Sequence, residues 1–289
     1  MFVPELPEVE TIARGLHKRV AGDAIESVWL GSKPQTMKSP PNEIATTLEQ
    51  TRISRVRRMG KHIVFDLERN GVAGTHLPGQ RRKRPTPLGQ HSQWIVHLGM
   101  TGRMVVCEPD AELVKHTHAV VKLASGRELR FVDPRRFGRL SVASRGDFEA
   151  TGAEPLEVKK DRFLALFRGR KTPIKSALLN QKLLRGVGNI YADESLFRAG
   201  IRPRRRVSTI PRARLEALYR AVQEVLKEAI ALGGSSISDY VDADGQEGFF
   251  QLRHRVYGRE GEPCLVCKTP IKRVVIVGRS SHYCPSCQT

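Results

Sequence analysis

The chain has 289 residues, 39% of them hydrophobic, which is enough to bury ordinary cores and by length suggests about two domains. Its 49 Lys and Arg against 30 Asp and Glu leave a formal charge of +19 and a pI near 10.2, a balance suited to a polyanion whose phosphates shed counterions when neutralised. No run approaches the roughly 18 apolar residues of a membrane span, the start lacks the layout of an export signal, and no long basic amphipathic helix suits a membrane surface. The expectation is a cytoplasmic enzyme or binding protein whose partner is nucleic acid.

The first stretch, Met1-Phe2-Val3-Pro4-Glu5-Leu6-Pro7-Glu8, sets a proline next to a carboxylate just ahead of a helix. As a mature first residue Pro4 would carry a secondary amine able to attack a sugar carbon and hold it as an iminium, with Glu5 in reach to move protons. The plainer alternative is a helix start, since Pro7 suits a first turn where its missing N–H has no partner. From there Val9, Ile12, Ala13, Leu16 and Val20 recur at helical spacing, and Gly22 stops the helix. Short runs then alternate with period two: 24–30, 52–56, 62–67, 94–98, 103–107, 119–123, 128–132 and 139–142. Eight such strands in about 140 residues predict a sandwich of two antiparallel sheets. Between Asn70 and Gln93 the pattern gives way to Gly, Pro and the basic run Arg81 to Arg84, a long loop whose charges either contact phosphate or only add solubility.

Beyond Arg145 the period changes to 3.6, with helices predicted near 160–168, 173–184, 192–199 and 211–232. The chain therefore divides into an N-terminal domain over 1–150, a helical domain over 151–252 and a cysteine module over 253–289. In that module Cys264, Cys267, Cys284 and Cys287 form two C-x-x-C pairs sixteen residues apart, the spacing of a tetrahedral zinc site closed by a β-hairpin. With no open coordination position, one Zn²⁺ would be structural, and the solitary Cys107 would fill core. The hairpin, 271–283, carries Lys272, Arg273 and Arg279, which suit either a DNA groove or a solvated edge.

Two further segments suit nucleic acid. Gly186-Val187-Gly188-Asn189 joins two predicted helices; its glycines would let backbone approach a phosphate, and Asn189 would add donors, unless it is only a packing turn. Asp133-Pro134-Arg135-Arg136-Phe137-Gly138 and His97-Leu98-Gly99-Met100 lie at strand ends, where an arginine pair, an aromatic and a methionine could wedge a base stack. Taken singly, Phe137 and Met100 are equally core candidates, and Lys61, after Gly60, is a phosphate or proton partner or a plain surface lysine.

These motifs, together with Lys115-His116-Thr117-His118 and the closing Tyr257-Gly258-Arg259 to Cys287, resemble in order and over nearly the whole chain the bacterial formamidopyrimidine-DNA glycosylases, the 8-oxoguanine repair enzymes. The resemblance implies an α+β protein with an N-terminal β-sandwich, a helix–two-turn–helix and a zinc-finger hairpin. It implies a monomer acting in the cytoplasm on nucleoid DNA, which it binds in a cleft between domains with the damaged base flipped out. By the same resemblance Pro4 is the nucleophile at C1′ and Glu5 the acid that assists ring opening. Lys61 and Arg279 hold the phosphates flanking the lesion and assist strand cleavage. Met100, Arg135 and Phe137 fill the gap left by the flipped base, and His116, Arg136, Lys175 and Asn189 are further DNA contacts. Leu6 and the stretch 233–250, which is similar to a purine-capping loop, favour oxidised purines over the oxidised pyrimidines of the endonuclease VIII branch.

Two features depart from the family pattern. The stretch 70–93 is longer and more basic than the usual short turn. Three residues precede Pro4, so its nitrogen would lie in an amide; Val3 occupies the initiator's place, and the expectation is a chain begun at position 3 and trimmed to Pro4. If Pro4 stays acylated, the alternative is a DNA-damage-binding protein of the same fold without chemistry.

Overall fold

The computed structural model describes residues 3–69, 91–143, 148–235 and 248–289. The basic run at 81–84 and most of the segment compared with a purine-capping loop lie outside the described residues. The chain forms two compact units, Ile12–Glu149 together with Met1–Val3, and Pro4–Thr11 together with Ala150–Thr289.

The chain enters through helix α1 (Leu6–Val20), whose Leu6, Val9, Ile12, Ala13, Leu16 and Val20 are buried at the predicted spacing. Glu8 in its first turn and His17, Lys18 and Arg19 in its last complement the helix dipole. In the first unit, β1 (Ile25–Leu30), β6 (Thr117–Leu123), β7 (Glu128–Val132) and β5 (Arg103–Cys107) form one antiparallel sheet in that order. The second sheet runs β2 (Arg52–Met59), β3 (His62–Glu68), β4 (His91–His97) and β8 (Arg139–Ala143), also antiparallel. Their buried side chains make the core of a sandwich, with Trp94 stacked on Phe65 at 4.8 Å between ring centroids. One helix is unforeseen: α2 (Pro41–Leu48) buries only Ile44 and Leu48, and two apolar positions in eight residues are too few to display a period.

In the second unit, α3 (Lys160–Phe167), α4 (Ile174–Leu179), α5 (Asn189–Arg198) and α6 (Arg212–Ala231) follow the predicted helices, although α4 ends five residues early. Helix α6 buries Leu215, Leu218, Val222, Val225, Leu226 and Ala229 along one face. Strands β9 (Lys272–Ile276) and β10 (Arg279–Tyr283) make the expected hairpin. Its base packs Ile271, Cys264 and Cys284 against Phe197 of α5 and Val256. The unit boundaries differ from the sequence division in two respects. The cysteine module joins the helical unit through that small core, and Pro4–Thr11 falls in the second unit, where Glu5, Leu6 and Glu8 find hydrogen-bond partners in Ile190, Gly186, Tyr191 and Ser235. Among the described residues no helix is long and apolar enough to cross a membrane.

Candidate active site

Pro4 and Glu5 are both buried where the chain meets the turn ahead of α5. Leu6 N–H donates to the Gly186 carbonyl at 3.0 Å, and Glu5 Oε1 accepts from Ile190 N–H at 3.2 Å, in the first turn of α5. A Cβ on Gly188 would overlap the Glu5 carboxyl carbon, and one on Gly186, at φ +87°, would lie 2.9 Å from Leu6 Cβ. The expectation that these glycines admit a phosphate therefore needs correction. Their missing side chains make room for the chain's own N-terminal segment, because Glu5 and Leu6 already occupy that space. Asn189 is the first residue of α5, and its side chain opposes the rise that burial gives the phenol pKa of Tyr257, a residue of the closing motif.

Glu8 ties this arrangement together. One oxygen accepts Glu5 N–H at 2.8 Å, the capping-box contact in which a glutamate reaches back three residues to the helix N-cap. The other accepts the Tyr191 hydroxyl and Ser235 N–H, the latter at 2.8 Å. Burial pushes the Glu8 carboxyl above its ordinary range against the pull of these donors, and burial beside Glu8 pushes the Tyr191 phenol far up. The Pro4–Glu5 peptide is thus held by a fully buried carboxylate.

Lys175, expected as a DNA contact, has no exposed surface. Its ammonium lies 2.7 Å from Asp193 of α5 and donates to the Ser280 carbonyl of β10 at 2.7 Å. An ammonium enclosed in this way does not present itself to a phosphate, so Lys175 is corrected to an internal prop of the zinc hairpin. Arg279, the residue before Ser280, is exposed at the start of β10.

The four cysteines place their sulfurs within 4.8 Å of one another, with Cys267 Sγ 3.4 Å from Cys284 Sγ and from Cys287 Sγ, and Cys264 Sγ 3.9 Å from Cys287 Sγ. Tetrahedral zinc with bonds of about 2.3 Å has sulfur–sulfur edges of about 3.8 Å, so the four thiols fit one structural Zn²⁺. Amides of Val266 and Cys287 approach sulfurs of this set at 3.5 and 3.4 Å, as donors to thiolates do. Cys107 lies apart, half-buried beside the Glu128 carbonyl.

The remaining predicted residues lie in the first unit. Lys61 follows Gly60, at φ +62°, in the two-residue turn between β2 and β3. Asp133 is fully buried and organises the arginine loop: its carboxylate accepts the Thr101 hydroxyl at 2.5 Å and the amides of Gly138 and Arg135 at 2.7 and 3.2 Å. Its carbonyl meets His118 Nε2 at 2.9 Å, and its amide donates to the carbonyl of His116, an exposed residue at φ +71°. This frame turns Arg135, Arg136 and Phe137 outward; Phe137 is 47% exposed, which excludes its core alternative, and the Arg135 guanidinium sits 5.1 Å from its ring centroid. A Cβ on Gly99 would lie 2.5 Å from the Phe137 and Gly138 backbone, so the turn bearing half-buried Met100 rests against the arginine loop only because residue 99 is glycine. Substituting Arg136 should lower the log–log salt slope of DNA binding by about one, the signature of one phosphate contact. If Phe137 is the wedge that the resemblance implies, Phe137→Ala should leave that slope in place while slowing removal of a damaged base, and an unchanged rate would remove Phe137 from the site.

A titratable group lies under the same turn. His97 Nδ1 accepts Gly99 N–H at 3.1 Å, and burial, helped by nearby His62 and Lys61, pushes its pKa down to about 4. An unfolded histidine titrates near 6.5, so between these values the unfolded chain binds a proton that the folded one does not. The contribution is complete above the unfolded pKa and is lost as pH falls toward the folded one. The melting temperature of the first unit should therefore drop between pH 7 and about 4.5, and His97→Gln should flatten the drop; an equal slope in both proteins would exclude His97 as its source.

Exposed arginines framed by buried carboxylates, on a chain of charge +19 with a zinc-fitting hairpin, put the protein among the nucleic-acid-processing proteins. Residues 3–140 match the family described as the formamidopyrimidine-DNA glycosylase N-terminal domain, 151–241 its H2TH domain, and 261–289 the zinc finger found in FPG and IleRS. A formamidopyrimidine-DNA glycosylase of Solibacter usitatus is 46% identical over 288 residues, covering 99% of each chain. The crystal structure of MutM (FPG) from Thermus thermophilus is similar with a TM-score of 0.81 at 40% identity, covering 99% of this chain and 98% of that one. The complex of Lactococcus lactis Fpg with abasic-site DNA gives 0.84 at 31% identity, covering 99% of each. A structure of MutM with DNA containing carbocyclic 8-oxo-G gives 0.84 at 31% identity, covering 99% and 100%. The chain belongs to the formamidopyrimidine-DNA glycosylase family and is a base-excision repair glycosylase.

Proposed function

We propose that the protein excises oxidised purines, 8-oxoguanine and formamidopyrimidines, from double-stranded DNA and then cleaves the strand as an abasic-site lyase. The observation that carries this reading is the restraint on the Pro4–Glu5 peptide: its N–H is held by buried Glu8, and the Glu5 carboxylate is held by the first turn of α5. A freed Pro4 amine attacks C1′ and displaces the base, which leaves with the electron pair of its glycosidic bond and takes a proton from water. The Glu5 carboxylate takes the proton of the attached nitrogen and gives it to the ring oxygen as the C1′–O4′ bond breaks and the iminium forms. The resulting iminium acidifies C2′, so that β-elimination expels the 3′ phosphate and δ-elimination the 5′ phosphate. Lys61 and Arg279 hold those phosphates, and Met100, Arg135 and Phe137 occupy the vacated stack. His116, Arg136 and Asn189 are further DNA contacts. Complexes of family members with abasic-site and 8-oxo-G DNA support this substrate class. The protein would act as a monomer on the nucleoid DNA of the cytoplasm.

Because an acylated proline is no nucleophile, the reading requires residues 1–3 to be absent from the active form. Borohydride should trap a covalent adduct with 8-oxoguanine DNA, and the intact mass of protein made from its own gene should begin at Pro4. A chain that retains Met1-Phe2-Val3 and gives no adduct would leave a damage-binding protein without chemistry.

A further inference from the structure

We propose that the buried pair Lys175–Asp193 stands in for a missing third strand on the open edge of the zinc hairpin, and so acts as the positioning device for Arg279. The inference rests on the reading of Arg279 as a residue that holds a phosphate beside the lesion.

Among the described residues β10 has β9 on one edge and no strand on the other. Ile276 and Arg279 flank the two-residue turn and pair with each other. By the alternation of antiparallel ladders, Arg279, Ser281 and Tyr283 direct their backbone groups toward β9, while Ser280 and His282 direct theirs to the opposite edge. Unpaired edge groups of that kind pair with whatever is offered. Here Lys175 Nζ donates to the Ser280 carbonyl at 2.7 Å, and Asp193 Oδ2 accepts His282 N–H at 2.8 Å. One donor and one acceptor two residues apart are what an adjoining strand would present.

The ammonium and the carboxylate face each other at 2.7 Å, and neither side chain has exposed surface. Burial lowers the Lys175 pKa, and Asp193 opposes that shift. A buried ion pair is poor evidence of stability in itself, because desolvating both charges offsets their attraction; its best attested use is to specify one register. Glu194, the next residue of α5, serves the same module by accepting the amides of Arg255, Val256 and Tyr257. Two consecutive carboxylates of α5 thus hold backbone at two places in the zinc module.

Ser280 follows Arg279 directly, so fixing its carbonyl and the amide of His282 fixes the start of the strand from which the guanidinium extends. The two-residue turn, with positive φ at both Val277 and Gly278, sets the register of the hairpin, at the cost of a conformation that a β-branched residue disfavours. The pair from α4 and α5 holds the strand from the side that neither the turn nor β9 reaches.

The test uses full-length, zinc-loaded protein. Lys175→Met with Asp193→Leu replaces the pair by apolar groups, a change that buried pairs tolerate better than loss of one partner. Zinc should remain at one per chain, while the His282 amide should exchange roughly 100-fold faster or more, as a released edge does. The cleavage rate at a preformed abasic site should fall about tenfold or more with KM little changed, and adding Arg279→Ala should cost nothing further, since both changes remove one function. Should the double variant lose zinc, Lys175→Ala with Asp193→Ala, which removes both edge partners and adds no bulk, carries the same comparisons. Unchanged His282 exchange in a zinc-loaded variant overturns the edge assignment, and multiplicative losses with Arg279→Ala overturn the positioning role. Should Arg279→Ala alone cleave at the wild-type rate, the phosphate-holding reading of Arg279 fails instead, because exchange reports on the edge by itself.

Discussion

Glu5→Gln should reduce excision of 8-oxoguanine by about 10²–10⁴-fold, the range expected when a positioned proton donor is removed. The amide preserves an oxygen for Ile190 N–H, so the fold around it should survive. Cleavage of a preformed abasic site should persist, because an opened sugar needs no acid to meet the Pro4 amine. Single-turnover rates on the two DNAs separate these steps. A Glu5→Gln protein that excises at the normal rate would pass the acid role to another group, and Glu8, whose pKa burial raises, is the nearest by chain and by contact. Gly188→Ala is the matching structural variant. Its methyl would displace the Glu5 carboxyl, so it should depress both steps by moving the whole Pro4–Glu5 peptide.

Cys284→Ser should release the metal and collapse the hairpin, because the module's own core is only Val256, Cys264, Ile271 and Cys284 packed on Phe197. Structural zinc contributes about 10–16 kcal/mol in isolated fingers, far more than a core of that size. Elemental analysis should find zinc lost, and DNA affinity should fall roughly tenfold or more as the hairpin's basic residues cease to meet phosphates. Helices α3 and α6, which pack on each other and not on the hairpin, should keep their far-UV signal, whereas α5 loses the cover of its Phe197. Cys107→Ser, outside the cluster, should retain full metal; full metal in Cys284→Ser would refute the ligand assignment.

Much of this was legible in the linear chain because it is local. Side chains alternate every two residues in strands and every 3.6 in helices, so the eight strands and the long helices could be read from spacing, and α2 escaped only because eight residues are too few for a period. Two C-x-x-C pairs define a metal site by themselves, since each pair brings two sulfurs to one side of a turn. The Pro4–Glu5 dipeptide, the arginine loop and the order of the motifs were equally visible, as was the charge that calls for DNA.

What the tertiary structure alone decided depends on partners far apart in sequence. Glu5 meets Ile190 across 185 residues and Lys175 meets Ser280 across 105, and no periodicity encodes such pairs. The glycines of 186–189 looked like a phosphate cradle until Glu5 and Leu6 were found in the space their missing side chains leave. Lys175, a DNA contact by resemblance, is enclosed by Asp193 and a strand edge. Nothing in the spacing around Asp133 marks it as buried, yet it is the acceptor that turns Arg135 and Phe137 outward. Residue type and spacing dictate what a side chain can do locally, whereas desolvation and long-range hydrogen bonds, which exist only once the chain has folded, determine which groups face solvent and which hold the others in place.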